Sequence, residues 1–369
     1  MSLLLLLFGW ALTHARATTL PKHVAMCITG QLARLEPESL LRHVVAPNLH
    51  AFHFDVIYAM SASRVLFEHK FVAGQGANAP TRFVNSSSAV VLREALERVH
   101  RYVFGSAADK VPARVLEFTP ALTSDTAWWG FLGLPRSTEP IWAGHQGGYN
   151  EWKILNMYHN HVKCAFEIER LEHSHDARFD YVVSAREDAF VFSNVDFARF
   201  NPHCQLIYKN CLTWSGINMR AQLIRRDALP FLKDRLRFYV ETQISGVEFT
   251  TPEVWELTQA NALQLARCPV HVDDWPVTAM RHRGAHLQPC FFANEICEPG
   301  PHKASCMSPR RHSQLDNVSL RACYPAANAS FVGTHVCIEH PLDIERQCND
   351  RGSLLLVLRA RSELGAVYN

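Results

Sequence analysis

The sequence predicts an α/β protein built on a mostly parallel sheet with right-handed crossovers. Short apolar strands alternate with amphipathic helices between residues 23 and 192, and helical crossovers of this kind join parallel strands of one sheet. The chain has 369 residues, of which 48% are hydrophobic and 20% charged, so it can bury a large core. Glycine and acidic residues follow two of the strands, and such sheets bind ligands beyond the carboxyl ends of their strands.

The first predicted unit is a strand, a helix and a second strand. The apolar run from His23 to Thr29 predicts a strand that ends at Gly30. A helix opens at the Glu36-Pro37 pair, because proline is favoured at an early helical position, and it ends before Pro47. The apolar run from Phe54 to Met60 predicts the second strand.

Two further helices are predicted, each from one apolar face. Ser88 caps a helix that ends at Gly105, and Asn150 caps a longer helix that runs to about Glu172. A third strand, Val115 to Phe118, lies between them. The positions predicted to be buried are Val91, Ala95, Val99 and Tyr102 on the first helix and Trp152, Leu155, Tyr158, Val162, Ala165 and Phe166 on the second.

A pair of acidic residues interrupts the next apolar strand. Residues Phe179 to Phe192 read FDYVVSAREDAFVF, in which Glu187 and Asp188 separate two apolar runs. Two like charges beside a buried strand lose hydration and repel each other unless a cation compensates them. Carboxylate oxygens suit Mn or Mg, which leave their other positions for water and phosphate. The simpler interpretation is that Arg186 pairs with its acidic neighbours on a solvated turn.

Several segments together resemble the nucleotide-sugar glycosyltransferases of the GT-A fold. They lie between Val24 and Gly284 and are similar also to uncharacterised glycosyltransferase-like proteins of algae and other protists. The segments are ITGQLAR, the helix with Trp152 and Cys164, DYVVSAREDAF, TWSGIN, TPEVWE and PVTAMRHRG. The chain departs from the usual D-x-D metal motif, because it has Glu187 and Asp188 between Arg186 and Ala189.

The resemblance implies a Rossmann-type, GT-A-like sheet and a transferase that moves a sugar from a nucleotide-sugar donor to a glycan or glycoprotein hydroxyl. The implied metal ligands for Mn or Mg are Glu187, Asp188 and His282, and the implied donor site comprises Thr29, Gly30, Gln31, Arg34, Arg186 and Arg281. Trp214, Ser215 and Gly216 are expected to shape the sugar pocket, and Glu253, Asp273 and Asp274 are candidate bases for the acceptor hydroxyl. Retention or inversion of the sugar configuration stays open.

Two other classes of protein compete with this interpretation. A metal-dependent hydrolase would need further histidine or acidic ligands near the acidic pair, for which His173 and His175 are the candidate pair. A non-catalytic, secreted carbohydrate-binding protein would tolerate the loss of both acids. Nucleic acid is not an expected partner, because the net charge is only +2 and no basic run contains interleaved aromatic residues.

The N-terminal segment, residues 1–17, is predicted to be a signal peptide. Its apolar stretch from Leu3 to Leu12 precedes Ala15-Arg16-Ala17, which fits a cleavage site, and the stretch is too short to span a bilayer. A buried first strand is the alternative. N-glycosylation sequons at Asn85, Asn317 and Asn328 agree with the secretory pathway, in the Golgi or ER lumen or outside the cell. Membrane association is expected only through this segment.

The resemblance implies a GT-A-like catalytic domain, 18–285, and the positions of the eleven cysteines predict a disulfide-rich extension, 286–369. Six of them lie in the last part of the chain among proline, glycine and asparagine, at spacings that favour disulfides over zinc. These six are Cys290, Cys297, Cys306, Cys323, Cys337 and Cys348. Cys204 and Cys211 are expected to close a small loop around the strand Gln205 to Tyr208. The odd count leaves at least one thiol that is free or bonded to another molecule, for which Cys27 is a candidate.

Overall fold

A computed structural model describes residues 22–31, 35, 37–62, 89–120, 151–191, 194–210, 216–244, 252–270, 274–283, 288–292, 330–332 and 335–337. The predictions for the leader, the three sequons, Arg34, Trp214, Ser215 and Asp273 lie outside these residues. The domain boundaries stay predictions as well.

The central sheet follows the predicted order of strands and helices. The strands of the chain are β1 (Lys22–Gln31), β2 (Phe52–Ala62), β3 (Ala113–Val115), β4 (Thr119–Pro120), β5 (Tyr181–Arg186), β6 (Ala189–Val191), β7 (Leu206–Lys209), β8 (Ala221–Arg225), β9 (Arg267–Val270), β10 (Val277–Arg283), β11 (Gln288–Phe292), β12 (Ser330–Val332) and β13 (His335–Cys337). Seven strands lie in the order β3-β2-β1-β5-β8-β7-β9, and β4 also pairs with β2. All neighbours are parallel except β8, which is antiparallel to β5 and β7. The α/β prediction with a mostly parallel sheet is confirmed.

Helices cover both faces of this sheet. They are α1 (Pro37–Leu40), α2 (Ala89–Phe104), α3 (Glu151–His175), α4 (Pro230–Lys233), α5 (Arg235–Ile244) and α6 (Pro252–Ala262). A π turn, Leu41–Val45, and a 3-10 turn, Ala46–Asn48, continue α1. One face packs against α1 and α2, and the other against α3 to α6. No helix in the described part is long and apolar enough to cross a bilayer.

The buried faces of α2 and α3 differ in part from the prediction. Tyr102 is 39% exposed and Phe166 is 49% exposed, so both predictions of burial are wrong. The buried row of α2 contains Leu92, Leu96 and His100. His100 can be buried because its ring accepts a hydrogen bond from the hydroxyl of Tyr58 on β2 (2.9 Å). Leu155, Tyr158, Val162 and Ala165 of α3 are buried as predicted.

A second, antiparallel sheet joins the region after residue 286 to the acidic strand. Its order is β12-β13-β11-β10-β6. β10 pairs with β6 through Ala279 and Ala189, and with β11 through Arg281 and Cys290. The residue after the acidic pair therefore begins a strand of this second sheet.

Two disulfides correct the predictions for Cys27 and Cys204. Cys27 is not a free thiol, because it is bonded to Cys164 on α3. Cys204 is bonded to Cys268 rather than to Cys211, because β7 and β9 are neighbours in the sheet. Sequence spacing could not reveal these partners, which are 137 and 64 residues apart. The tail cysteines other than Cys290 and Cys337 lie outside the described residues.

Candidate functional site

The ends of β1 and β5 bring Gly30 and the acidic pair together. The two strands are parallel neighbours, and Thr29 lies opposite Arg186 in their register. The backbone N–H of Glu187 donates to the carbonyl oxygen of Thr29 (2.9 Å). The two features that the sequence places 157 residues apart thus meet at the carboxyl edge of the sheet, where ligands bind in this class of fold.

Gly30 lies directly against the carboxylate of Glu187. Its φ is +139°, in a region that residues with a side chain rarely adopt. A Cβ atom at this position would lie 1.9 Å from Oε2 of Glu187. The Gly30 carbonyl accepts hydrogen bonds from Ser61 Oγ (3.2 Å) and Asn160 Nδ2 (3.4 Å). Glycine is required here because the carboxylate of Glu187 occupies the space that a side chain at position 30 would need.

The acidic pair is buried, with a cation beside it. Glu187 is 4% exposed and Asp188 is 0% exposed. Arg186 Nε lies 3.2 Å from Asp188 Oδ1, and Arg186 Nη2 donates to Asp188 Oδ2 (3.3 Å). The simpler interpretation of the sequence is thus right about the ion pair, but the turn is not solvated. A buried charge pair of this kind is costly to build, which is typical of a functional position.

Buried polar atoms without hydrogen-bond partners surround the same edge. Within the described residues, Thr29 Oγ1, Gln31 Oε1, Asn160 Oδ1 and the Tyr158 hydroxyl have no partner. Such atoms are rare in folded proteins because each loses its bond to water on burial. A polar ligand with hydroxyl and N–H groups would satisfy them. Asn160 is a residue that the sequence analysis missed, and its only signal was an amide at a helix position four residues before Cys164.

The acidic pair fits a hard divalent cation by its chemistry. Two carboxylates are the number that Mg or Mn commonly takes from a protein, with water and phosphate as the other ligands. The unsatisfied Thr29 Oγ1 adds a neutral oxygen at the same edge. The described residues contain no group of three or more histidine, cysteine or acidic side chains that could hold an ion.

The other predicted ligands are placed only in part. His282 and Arg281 lie on β10 and their side chains are not described, but Ala279 of this strand faces Ala189, the residue after Asp188. The strand therefore brings the backbone of both residues close to the acidic pair.

A buried polar network lies beneath α3, α5 and α6 on the same face of the sheet. Arg235 Nη1 lies 3.1 Å from Glu256 Oε1 and donates to His161 Nδ1 (2.8 Å). Gln222 of β8 donates to Glu256 Oε2 (2.7 Å), and its own oxygen accepts from Arg235 Nη2 (3.3 Å). All four side chains are buried. The network holds three helices to one strand through charged groups.

The electrostatics of the network extend to the acidic turn. Burial raises the pKa of Glu256 to about 7, although Arg235, Gln222 and Arg186 oppose the rise. Burial lowers the pKa of His161 well below its ordinary value, and the charges of Arg235 and Arg186 lower it further. Arg186 therefore acts on both Glu256 and His161, so the ion pair at Asp188 borders the network.

The candidate bases lie at the edges of this region. Glu253 is half-buried in the first turn of α6, and its backbone oxygen accepts from Ile217 N–H (2.9 Å). A Cβ atom on Gly216 would lie 1.9 Å from that oxygen, so Gly216 packs against the start of α6. Asp274 is half-buried and precedes Trp275, which is buried against Phe200.

Comparison with known proteins yields structural likeness only. No protein-family model and no curated protein sequence matches the chain. The fold is similar to the glycosyltransferase GlyE of Streptococcus pneumoniae TIGR4 (11% identity, TM-score 0.31, 68% of this chain and 45% of that one). It is similar also to mouse xyloside xylosyltransferase 1 (10% identity, TM-score 0.34, 68% of this chain and 86% of that one). A third similar structure is the galactosyltransferase LgtC (12% identity, TM-score 0.29, 68% of this chain and 73% of that one). The chain spans less than half of GlyE, and TM-scores this low do not carry a functional argument.

Proposed function

We propose that the chain is a glycosyltransferase that moves a sugar from a nucleotide-sugar donor to a hydroxyl of a glycan or glycoprotein. The observation that carries the proposal is the buried acidic pair, Glu187 and Asp188, against Gly30 at the carboxyl edge of a mostly parallel sheet. Unsatisfied buried oxygens at Thr29, Gln31 and Asn160 support a polar, hydroxyl-rich ligand at the same edge.

The residues at this edge have two kinds of role: Gly30 provides space for Glu187, and the charged side chains act on the diphosphate and the metal ion. Gly30 allows the carboxylate of Glu187 to lie against the backbone of β1, because any side chain at position 30 would collide with it. The guanidinium of Arg186 would stabilise the negative charge that a diphosphate leaving group gains, because it is a donor already in place beside Asp188. Glu187 and Asp188 would hold Mn or Mg, which when bound stabilises the same leaving group.

An inverting transfer requires a carboxylate base that activates the acceptor hydroxyl. Glu253, Asp273 and Asp274 are the proposed candidates, of which Glu253 has the strongest structural support. It lies one turn of α6 before Glu256, and its charge raises the pKa of Glu256. The first turn of α6 therefore faces the same charged region as Arg186.

The proposed compartment is the secretory pathway. Two disulfides within the α/β domain, Cys27–Cys164 and Cys204–Cys268, support an oxidising environment. The predicted signal peptide and sequons agree with it.

The proposal is tested by a screen of UDP-sugars and GDP-sugars for hydrolysis and transfer with Mn present. We expect turnover by the wild-type chain and a loss of at least about 100-fold in kcat for Glu187→Gln and Asp188→Asn, which keep shape and remove charge. Glu172→Gln, which breaks a pair with Arg226 at the other end of β5, is the matched control. Full activity of the double variant would exclude the role of the acidic pair, whereas glycan binding without turnover of any donor would favour a binding protein.

A further inference from the structure

Asp188 already has a cation as its neighbour within the chain, namely Arg186. Its carboxylate is fully buried, and both of its oxygens lie near the guanidinium of Arg186, at 3.2 and 3.3 Å. The Arg186 side chain is 18% exposed, so it reaches from the buried carboxylate to the surface of the site.

A divalent ion at Asp188 has to compete with this guanidinium. Two cations within a few Å of each other in a partly buried site repel, and the repulsion weakens the binding of the second. The positive charge of Arg186 must therefore be moved or neutralised before an ion binds tightly.

Two features offer Arg186 another partner. Its charge already acts on the carboxylate of Glu256, which lies in the buried network next to Arg235. A nucleoside diphosphate would bring negative charge to the exposed side of the guanidinium, where Arg binds phosphate as a fork. The ion and the diphosphate are then expected to help each other bind, because each relieves the cost that Arg186 imposes on the other.

We propose that Arg186 is a built-in counter-cation of Asp188, which keeps metal affinity low until an anionic donor draws the guanidinium away. This inference rests on the proposed function, because it assumes that the acidic pair binds a metal. It assigns to Arg186 an effect on the order of binding: the diphosphate group binds first or together with the ion.

The test measures the affinity for Mn directly, by titration calorimetry or by the electron paramagnetic resonance of free Mn, with no turnover involved. We expect Arg186→Gln to bind Mn at least about tenfold more tightly than the wild-type chain in the absence of nucleotide. Saturating UDP is expected to tighten Mn binding by the wild-type chain and to do so much less in the variant. Arg226→Gln is the matched control, because Arg226 is also 18% exposed and is paired bidentately with Glu172.

Each outcome decides between the proposals. Equal Mn affinity of wild type and Arg186→Gln, with both chains folded by circular dichroism, would overturn the counter-cation and leave the transferase proposal standing. A tenfold increase in Arg226→Gln as well would overturn it too, since the effect would then follow net charge alone. Tighter Mn binding by Arg186→Gln without turnover of any donor would support the counter-cation and contradict the proposed function.

Discussion

Both faces of the central sheet are buried against apolar side chains, but the face toward α3, α5 and α6 also contains a network of fully buried charged groups. Toward α1 and α2, the strands present Val24, Met26 and Ile28 to a continuous apolar core. Toward α3, α5 and α6, the same sheet presents Gln222 to the Arg235–Glu256 pair, close to the acidic turn. Apolar contacts stabilise both faces without strict directional requirements, whereas the charged network is stable only if each of its buried groups keeps its partner.

The difference shows where the chain has placed its costly groups. Buried charges are weak evidence of stability, because apolar residues of similar size often do as well. Their concentration on the face that ends at Glu187 and Asp188 indicates a functional region rather than a better core. The face toward α1 and α2 also buries polar groups, such as His100, whose ring donates to the carbonyl of Val111 and accepts from the hydroxyl of Tyr58.

The largest expected effect is the loss of one partner of the Arg235–Glu256 pair. Arg235→Met leaves the carboxylate of Glu256 buried without its cation, so we expect the free energy of unfolding to fall by about 3–5 kcal/mol. The double variant Arg235→Met/Glu256→Leu is expected to regain most of this loss, because no unpaired charge remains. Urea unfolding of the two single variants and the double variant measures the coupling.

If the losses of unfolding free energy in the two single variants add up in the double variant, the destabilisation does not come from an unpaired buried charge. The comparison between the faces would then fail, because the face toward α3, α5 and α6 would behave like ordinary core.

The second effect is the pH dependence of His100 on the face toward α1 and α2. Burial lowers its pKa to about 4, against 6.5 in the unfolded chain, so the folded state resists protonation. This contribution is present above pH 6.5 and is lost as the pH falls to 4, by about 3 kcal/mol in all. His100→Gln is expected to flatten the plot of unfolding free energy against pH over that range.

The exposed His175 at the end of α3 offers the control for this experiment. A curve whose shape is the same in wild type and His100→Gln would refute the assignment of the acid sensitivity to the Tyr58–His100 contact.

The smallest effect concerns the outer side of α2. Tyr102→Ser is expected to change the unfolding free energy by less than about 0.5 kcal/mol, because the ring is largely exposed. Leu96→Ala on the buried row of the same helix is expected to cost about 2–5 kcal/mol. Thermal melts of both variants compare the two sides of α2, and a larger loss for Tyr102 would restore the face predicted from the sequence.

Many strands and helices of the fold could be predicted because their signals lie in short stretches of the sequence. Apolar runs and helix caps determined the strands and helices around Gly30, and the parallel arrangement then brought Gly30 and Asp188 to one edge. Two acids after an apolar strand were visible for the same reason, because their positions within the strand–turn unit are local.

The partners across the fold could not be predicted in this way. Periodicity shows which side of a helix is buried, but it does not show which polar residues meet there. Arg235 and His161 are 74 residues apart, and Asn160 and Gly30 are 130 apart. Tyr102 was predicted to be buried because it is aromatic and lies at a helical spacing from other apolar residues. His100 was not predicted to be buried because histidine is polar.

The Cys27–Cys164 bond has a mechanical consequence for the site. It joins β1 covalently to α3, close to the point where the side chain of Asn160 donates a hydrogen bond to the carbonyl oxygen of Gly30. β1 and α3 therefore cannot separate beside the candidate site, because a covalent bond joins them. α6 contains no cysteine and is held by the packing of Trp255 on Tyr158 and by the Glu256–Arg235 pair, so movement beside the site is expected at α6 rather than between β1 and α3.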